Sequence, residues 1–215
     1  MTAAVIADIV RSRELDDRAA AQRAIETAVA RAEADVPLAV APLTAVVGDE
    51  LQAEYPTVAA AAAALLLVRL NLPDGVECRF GVGVGDVRPV ELGDRTIPEG
   101  PAWWAARAAI ERIEAVQQRV APLARTWFEA QEGADVEVRQ SVALANAYAL
   151  SRDQLVSSMS ERARRLTYGR CLGRSQRELA GDEGITQSAV SQALASAGSA
   201  AVVEGFLALT GGRAA

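Results

Sequence analysis

The chain has 215 residues, of which 51% are hydrophobic, so it can bury the core of one large domain or of one medium and one small domain. All 22 basic residues are arginines, and the absence of lysine and histidine excludes imidazole bases and metal ligands, lysine Schiff bases and a lysine-dependent phosphate loop. The net charge of −6 is uneven: residues 1–150 carry 14 arginines against 22 acids, and residues 151–215 carry 8 against 6. The N-terminal part is therefore better suited to cations, and the C-terminal part to a polyanion.

The sequence contains no sign of secretion or of a membrane anchor. Cys78 and Cys171 are far apart in sequence, which favours two reduced thiols in a cytoplasmic protein. Asp8 interrupts the short apolar run near an N-terminus without basic residues, which argues against a signal peptide. Residues 58–68 are all apolar, but about 20 residues are needed to cross a bilayer. We expect a buried helix there and a cytoplasmic protein without membrane contact.

The first half of the chain alternates strand and helix patterns. An apolar strand over residues 3–9 precedes a helix that Asp16 or Asp17 caps and that runs to about Ala34. A hairpin follows with Gly48-Asp49-Glu50 at its tip, and then an alanine-rich helix capped by Thr57. A strand over residues 78–85 alternates apolar residues with glycines, which predicts that another element approaches its backbone closely. The order strand, helix, strand, strand, helix, strand predicts an α+β fold of the ferredoxin-like or palm type (βαββαβ), with helices on one face of the sheet.

Two carboxylates stand at the ends of predicted strands. If the first strand and the hairpin are neighbours in one sheet, Asp8 and Asp49 lie close together at one rim, where their charges repel. A divalent cation would remove this conflict, and a site with few protein oxygens suits Mg²⁺, which keeps several waters. The pattern therefore predicts a cation site, and the alternative is that both acids only cap turns.

Helices dominate the second half. Pro101 opens a predicted helix over residues 102 to about 130, and further helical runs cover residues 138–150 and 151–169. We expect a palm domain over residues 1–130, a helical connector over 131–150 and an all-α helix-turn-helix domain over 151–215.

The helix-turn-helix prediction depends on spaced capping residues. Ser175 and Glu178 form a capping box, Gly184 suits the end of the first helix, and Thr186 suits the cap of the second. Polar side chains that donate and accept hydrogen bonds, as base edges require, then face outward, with arginines placed for phosphate contacts. The predicted residues for double-stranded DNA are Arg174, Ser175, Gln176, Arg177, Thr186, Gln187, Ser188, Ser191 and Gln192. The alternative is an ordinary solvated helix face. Residues 200–209 close the module or form a homodimer contact, which suits DNA half-sites about 34 Å apart.

The motifs Ala7 to Ser12, Gly48-Asp49-Glu50, Arg79 to Asp86 and Gly100-Pro101 followed by Arg107 together resemble the catalytic palm of class III nucleotide cyclases. With the C-terminal motif, which resembles sigma-factor-like helix-turn-helix modules, the chain resembles the SatD family over nearly its full length. The resemblance implies Asp8 and Asp49 as metal ligands and Mg²⁺ or Mn²⁺ with a purine nucleotide as cofactors. The residues expected to bind the nucleotide are Ile9, Val10, Arg11, Ser12, Gly48, Glu50, Trp103 and Arg107.

Three positions depart from the cyclase pattern. Trp103 stands where cyclases have asparagine, a base-selecting lysine has no counterpart, and Arg11 replaces the usual loop glycine. Trp103 and Trp104 either stack a base or pack in the core or at a subunit interface. We therefore assign no catalytic residue. The favoured function is a DNA-binding transcriptional regulator with a degenerate cyclase-like domain that senses a nucleotide or metal. The alternatives are a Mg²⁺- or Mn²⁺-dependent purine nucleotide cyclase or phosphohydrolase, and a structural dimer with an inactive palm.

Overall fold

The computed structural model describes residues 1–12, 17–48, 50–88, 90–92 and 95–212. Its strands are β1 (Thr2–Ile9), β2 (Ala41–Val47), β3 (Glu50–Tyr55), β4 (Cys78–Gly85), β5 (Val90–Leu92), β6 (Arg95–Ile97) and β7 (Thr126–Ala130). Its helices are α1 (Arg18–Asp35), α2 (Val58–Asn71), α3 (Pro101–Arg119), α4 (Val136–Ser158), α5 (Glu161–Cys171), α6 (Gln176–Glu183), α7 (Gln187–Ser196) and α8 (Ser199–Thr210).

A five-stranded sheet in the order β2-β3-β1-β4-β7 forms the centre of the fold. The first four strands pair antiparallel with their neighbours, and β7 is parallel to β4. The chain order of the first six major elements confirms the predicted βαββαβ pattern. Because β1 lies between β3 and β4, the ends of β1 and of the β2–β3 hairpin meet at one rim of the sheet, as the sequence predicted.

Helices α1 and α2 of the βαββαβ unit lie on one face of the sheet, as predicted, and the later helix α3 covers the other face. Successive side chains of a strand point to opposite faces. Val5 of β1 lies in the main core with α1 and α2, whereas Ala4 and Ile6 pack against Trp103 and Ala106 of α3.

Two glycines of β4 allow α3 to lie directly on the sheet. A methyl group added at Gly83 would lie 1.9 Å from the carbonyl oxygen of Ala102, and one added at Gly81 would lie 2.4 Å from the backbone nitrogen of Ile110. Both distances are far shorter than any real contact, so only glycine fits at these positions. The close approach predicted from the alternating glycines is confirmed, and the approaching element is α3.

The alanine- and leucine-rich helix α2 is the central helix of the main core. Thr57 caps it by accepting a hydrogen bond from the backbone nitrogen of Ala60 at 3.0 Å, and residues 61–70 are buried on every side. A helix that is apolar all round is stable only when neighbours surround it. Elements α1, α4, α5, α8 and the sheet supply that cover, which explains the apolar run at residues 58–68.

The structure differs from the predicted elements at two places. Helix α3 ends at Arg119 instead of near residue 130, and residues 126–130 form β7, which pairs with β4 and so depends on a distant partner. Helix α4 continues through residue 150 to Ser158, and the break falls at Met159, after which Ser160 caps α5 by accepting from the backbone nitrogen of Ala163.

The C-terminal helices are in part continuous with the main core. Tyr168 of α5 and Phe206 of α8 belong to the same buried cluster as α2 and the sheet. Helices α6 and α7 form a separate small cluster, which Leu166 of α5 joins. The domain boundaries at residues 130 and 150 stay a prediction, and a separate all-α domain is not evident in this packing.

Within the described part of the chain, no single helix has the length and apolar character to cross a membrane. Helices α7 and α8 have that length and apolar character only when they are taken together, and they are bent by 79° at their junction.

Candidate functional site

The rim where β1 and β4 meet carries a cluster of paired charges. Asp8 lies opposite Arg79 on the neighbouring strand, and its two carboxylate oxygens accept hydrogen bonds from Nε and Nη2 of Arg79, each at 2.9 Å. Nη1 of Arg79 lies 2.9 Å from Glu114 of α3. Burial by itself lowers the pKa of the Arg79 guanidinium, but the hydrogen bonds and charges of Asp8 and Glu114 together raise it above its ordinary value. Arg79 therefore balances the charge of Asp8 for which the sequence predicted a cation.

A second ion pair occupies the same end of the sheet. Glu50 begins β3, and both of its carboxylate oxygens accept from Nη2 of Arg107 on α3, at 2.9 and 2.8 Å. Two of the residues predicted to bind nucleotide therefore bind each other. Asp49 lies outside the described residues, and neighbouring Gly48 adopts a positive φ of 65° at the hairpin tip. Among the residues that the structure describes, no three carboxylate or thiol side chains are grouped in a way that would hold a metal ion.

The two tryptophans differ sharply in exposure. Trp103 is 7% exposed and packs against Ala4 and Ile6, whereas Trp104 is 65% exposed. Of the two interpretations left open for Trp103, its position favours core packing, because a stacking platform needs an open ring face.

The loop after β1 begins directly beside the Asp8 rim. Ile9 is buried in the main core, and the backbone nitrogen of Val10 donates to the carbonyl oxygen of Glu77 at 2.9 Å. Arg11 has a positive φ of 54°, a rare conformation for a residue other than glycine. Val10 and Arg11 line a cavity of about 650 Å³. The nucleotide role predicted for residues 9–12 stays a prediction.

Helices α6 and α7 have the caps that the sequence predicted. Ser175 accepts from the backbone nitrogen of Glu178 at 3.2 Å, and its own backbone nitrogen donates to that glutamate at 2.7 Å, which completes the capping box. Hydrogen bonds from the side chain and the backbone nitrogen of Ser175 to the Glu178 carboxylate lower the pKa of that carboxyl. Gly184 ends α6 with a left-handed φ of 62°, and Thr186 caps α7 by accepting from the backbone nitrogen of Ala189 at 3.2 Å. Ser175 and Thr186 thus have structural roles in this turn.

The inner face of α7 is fixed by apolar packing. Val190 and Leu194 pack against Leu179 and Ala180 of α6 and against Leu166 of α5. A methyl group added at Gly169 of α5 would lie 2.4 Å from Cδ2 of Leu179, so α6 also rests closely on α5. The outer face is exposed and polar, with Gln187, Ser188, Ser191 and Gln192.

The arginines near α6 and α7 differ in whether they form ion pairs. Arg174 forms an ion pair with Asp182 at 2.5 Å. Arg165 forms a bidentate ion pair with Glu183, with hydrogen bonds of 2.7 and 2.8 Å. Arg177 is exposed and makes no ion pair with any described residue. Gln176, which the sequence also placed on the DNA-binding surface, lines a smaller cavity of about 280 Å³ with residues of α7 and α8.

A buried charge network on the main core was not expected from the sequence. Oδ1 of Asp153 accepts from Arg69 and, at 2.7 Å, from Nη2 of Arg152, while Oδ2 accepts from the backbone nitrogen of Arg125 at 2.7 Å. Burial alone raises the pKa of the Asp153 carboxyl, but the charges of Arg152 and Arg69 outweigh that effect and hold the pKa below its usual range. Arg69, which directly follows the apolar run of α2, was a signal that could have indicated this network, since a buried arginine needs a partner.

The sheet, its helices on both faces and the paired charges at its rim define an α+β protein. The SatD family model matches residues 2–203, so the chain belongs to the SatD family.

Two solved structures of bacterial light-regulated adenylyl cyclases are similar to this chain. The first has 14% identity and a TM-score of 0.44, covering 59% of this chain and 74% of its own. The second has 16% identity and a TM-score of 0.43, covering 59% of this chain and 42% of its own. These similarities are too low to carry an argument about activity. The comparison with curated proteins gave no match.

Proposed function

We propose that this protein binds double-stranded DNA through helices α6 and α7 and acts as a transcriptional regulator. The exposed face of α7 is the observation that supports this function. Gln187, Ser188, Ser191 and Gln192 all point outward, no residue of α7 is charged, and the opposite face is held by Val190 and Leu194. Uncharged side chains that both donate and accept hydrogen bonds are suited to base edges in the major groove.

The surroundings of α7 suit a duplex as well. The N-terminus of α7 carries the positive end of the helix dipole, and exposed Arg177 on α6 can reach a phosphate without first breaking an ion pair with a described residue. The turn between α6 and α7 is short, residues 184–186, which is the spacing of a helix that crosses the backbone and a second helix that enters the groove.

The sensing of a purine nucleotide or of Mg²⁺ or Mn²⁺ is not part of this proposal. Asp8 and Glu50 are each bound by an arginine, and these pairs favour neither a cation site nor cyclase or phosphohydrolase turnover at the rim. The homodimer expected from the sequence stays a prediction.

Selection from a random duplex library with the full-length protein tests the proposal. We expect enrichment of a short motif, and we expect Gln187→Ala to weaken the preference at one base position by about 5- to 100-fold. Gln154→Ala is the matched control, because Gln154 is an exposed glutamine on α4, outside the proposed surface. A selected motif that is an inverted repeat would support the homodimer. No enrichment, or equal loss of preference in both variants, would refute DNA recognition through α7.

A further inference from the structure

The cavity of about 650 Å³ lies next to the Asp8 rim, since Val10 follows β1 and Cys78 precedes Arg79 on β4, and none of its lining residues belongs to helix α7. It is open on one side and is lined by the ends of α2, α3 and α4, by α5, and by the loops that precede β4 and β7. Its volume is within the range of small-molecule sites, about 300–1,000 Å³. None of the residues predicted to bind DNA lines it, and Val10 and Arg11 are the members of the predicted nucleotide set that do.

The charged residues that line the cavity are mainly arginines. They are Arg11, Arg69, Arg125 and Arg164 against Asp74 and Glu77. The arginines come from the loop after β1, from α2, from the loop before β7 and from α5, so they converge only in the folded chain.

The interior behind this wall holds more positive than negative charge. Among the described residues, Arg69, Arg125 and Arg152 are buried at 6%, 5% and 2% exposure, and Asp153 is the one buried carboxylate. Glu77 pairs with Arg125 at 2.5 Å, but its side chain is 42% exposed, so water screens its charge. Burial lowers the pKa of the Arg69 guanidinium, and the charges of Arg152 and Arg125 lower it further, against the raising effect of Asp153. A buried charge without full compensation is costly, and an anion next to it removes the cost.

Arg164 provides a second, independent observation. Its Nε is buried and has no hydrogen-bond partner in the described structure, which is uncommon for a buried donor. Its Nη2 lies 2.6 Å from Asp74, a side chain that is 70% exposed and therefore a weak partner. Nη1 donates to the carbonyl oxygen of Met159 at 3.0 Å and Nη2 to that of Leu72 at 3.2 Å, so Nε is the nitrogen of this guanidinium that keeps an unused donor.

Most of the remaining lining is apolar and includes Leu72, Val76, Leu123 and Val156, and Gln117 and Ser157 are its polar members. An inorganic anion alone would leave much of this volume unfilled, so an organic group attached to the anion suits the site. Arg69, Arg125 and Arg164 bring three guanidinium groups to this wall. A phosphate monoester carries about −1.5 to −2 at neutral pH and three strong acceptor oxygens, which suit such a group of donors.

We propose that this cavity binds a small phosphorylated metabolite, with the phosphate held by Arg69, Arg125 and Arg164 and the organic part against the apolar wall. Guanidinium groups bind phosphate oxygens through two parallel hydrogen bonds, which gives both affinity and orientation. This inference does not depend on DNA binding by α7.

Thermal unfolding of the full-length protein in sodium phosphate, against sodium chloride at equal ionic strength, tests the site. We expect phosphate at ten times its dissociation constant to raise the wild-type Tm by about 3–6 °C. Arg164→Gln should lose at least half of this shift. Arg162→Gln is the matched control, because Arg162 is on the same helix, is 57% exposed and pairs with Glu183 outside the cavity. A general stabilising effect of phosphate on the fold would be the same in both variants.

A second variant keeps the test decisive if Arg164→Gln unfolds. Val76→Trp places a large ring at the cavity wall without changing any charge, and it should reduce the phosphate shift to the same extent. Equal shifts in wild type, Arg164→Gln and Val76→Trp, or no shift in wild type, would overturn the proposal. An equal shift with citrate at the same ionic strength would overturn the assignment to phosphate in favour of a carboxylate ligand.

Discussion

Asp8 on β1 and Arg79 on β4 stand opposite each other across two antiparallel strands and are joined by two hydrogen bonds of 2.9 Å. A cation that uses Asp8 must first displace this guanidinium, which is 12% exposed and also pairs with Glu114. We therefore predict that saturating Mg²⁺ or Mn²⁺ raises the Tm of the wild-type protein by less than about 1 °C.

The matched control for this measurement is Asp8→Asn, which removes the carboxylate that a cation would need. Wild type and Asp8→Asn should respond to Mn²⁺ alike. A clear rise in the wild-type Tm that Asp8→Asn abolishes would contradict the prediction and restore the cation site expected from the sequence.

The contact between β4 and α3 predicts a large effect of a small substitution. Gly83→Ala should lower the free energy of unfolding by about 3 kcal/mol or more, because the new methyl group would lie 1.9 Å from the carbonyl oxygen of Ala102 and must push the helix from the sheet. Urea unfolding at 25 °C measures the change.

Gly181→Ala is the control for Gly83→Ala. Gly181 lies in α6, where the added methyl group would have no atom of another element within 4 Å, and alanine is the better helix former by about 1 kcal/mol. This variant should therefore be slightly more stable than wild type. If both substitutions had the same effect, the close packing of α3 on β4 would not be what requires glycine at position 83.

The buried carboxylate of Asp153 predicts a specific pH dependence. Its pKa is lower in the folded protein than in the unfolded chain, where it is about 3.9, so its contribution to stability is present above that value and is lost as the pH falls toward the folded pKa. Asp153→Asn should cost about 3–5 kcal/mol at pH 7, because three buried arginines lose their buried counter-charge.

Urea unfolding of both proteins between pH 7 and pH 3 measures this effect. The difference in stability between wild type and Asp153→Asn should stay constant down to about pH 4 and narrow below it. Asp135→Asn serves as the control, since the Asp135 side chain is exposed and makes no capping hydrogen bond, and it should change stability by less than about 0.5 kcal/mol. A constant difference over the whole range would show that the charge of Asp153 does not stabilise the fold.

The proposed DNA contact of Arg177 predicts an effect on salt dependence. Arg177→Gln should weaken binding to all duplexes alike and reduce the slope of log K against log salt by about 0.9, the value for one lost phosphate contact. Fluorescence anisotropy titrations at salt concentrations between about 50 and 200 mM, roughly a fourfold range, measure the slope.

Arg165→Gln is the comparison for Arg177→Gln, because Arg165 is held by both Glu183 and Glu161. The slope of log K against log salt should change less than half as much in Arg165→Gln as in Arg177→Gln. If the two variants had equal slopes, Arg177 would not contact a phosphate.

Local signals along the chain determined most of the helix and strand starts. Asp17, Thr57, Ser175 and Thr186 each cap the helix that the sequence placed after them, because a cap needs only backbone donors within three residues. The alternation of residues in β4 and the turn at Gly48 could also be predicted from the sequence, since both patterns involve residues close together in the chain.

The sequence by itself therefore determined the βαββαβ order, the buried character of α2 and the paired helices α6 and α7. Tertiary structure alone decided the rest. Strand β7 exists because β4 offers it a parallel partner, and α3 covers the second face because Gly81 and Gly83 leave room for its backbone. The pairing of Asp8 with Arg79 and the convergence of Arg69, Arg125 and Arg164 join residues far apart in the chain. No local pattern records such contacts, because their free energy arises from burial and charge compensation that only the packed chain provides.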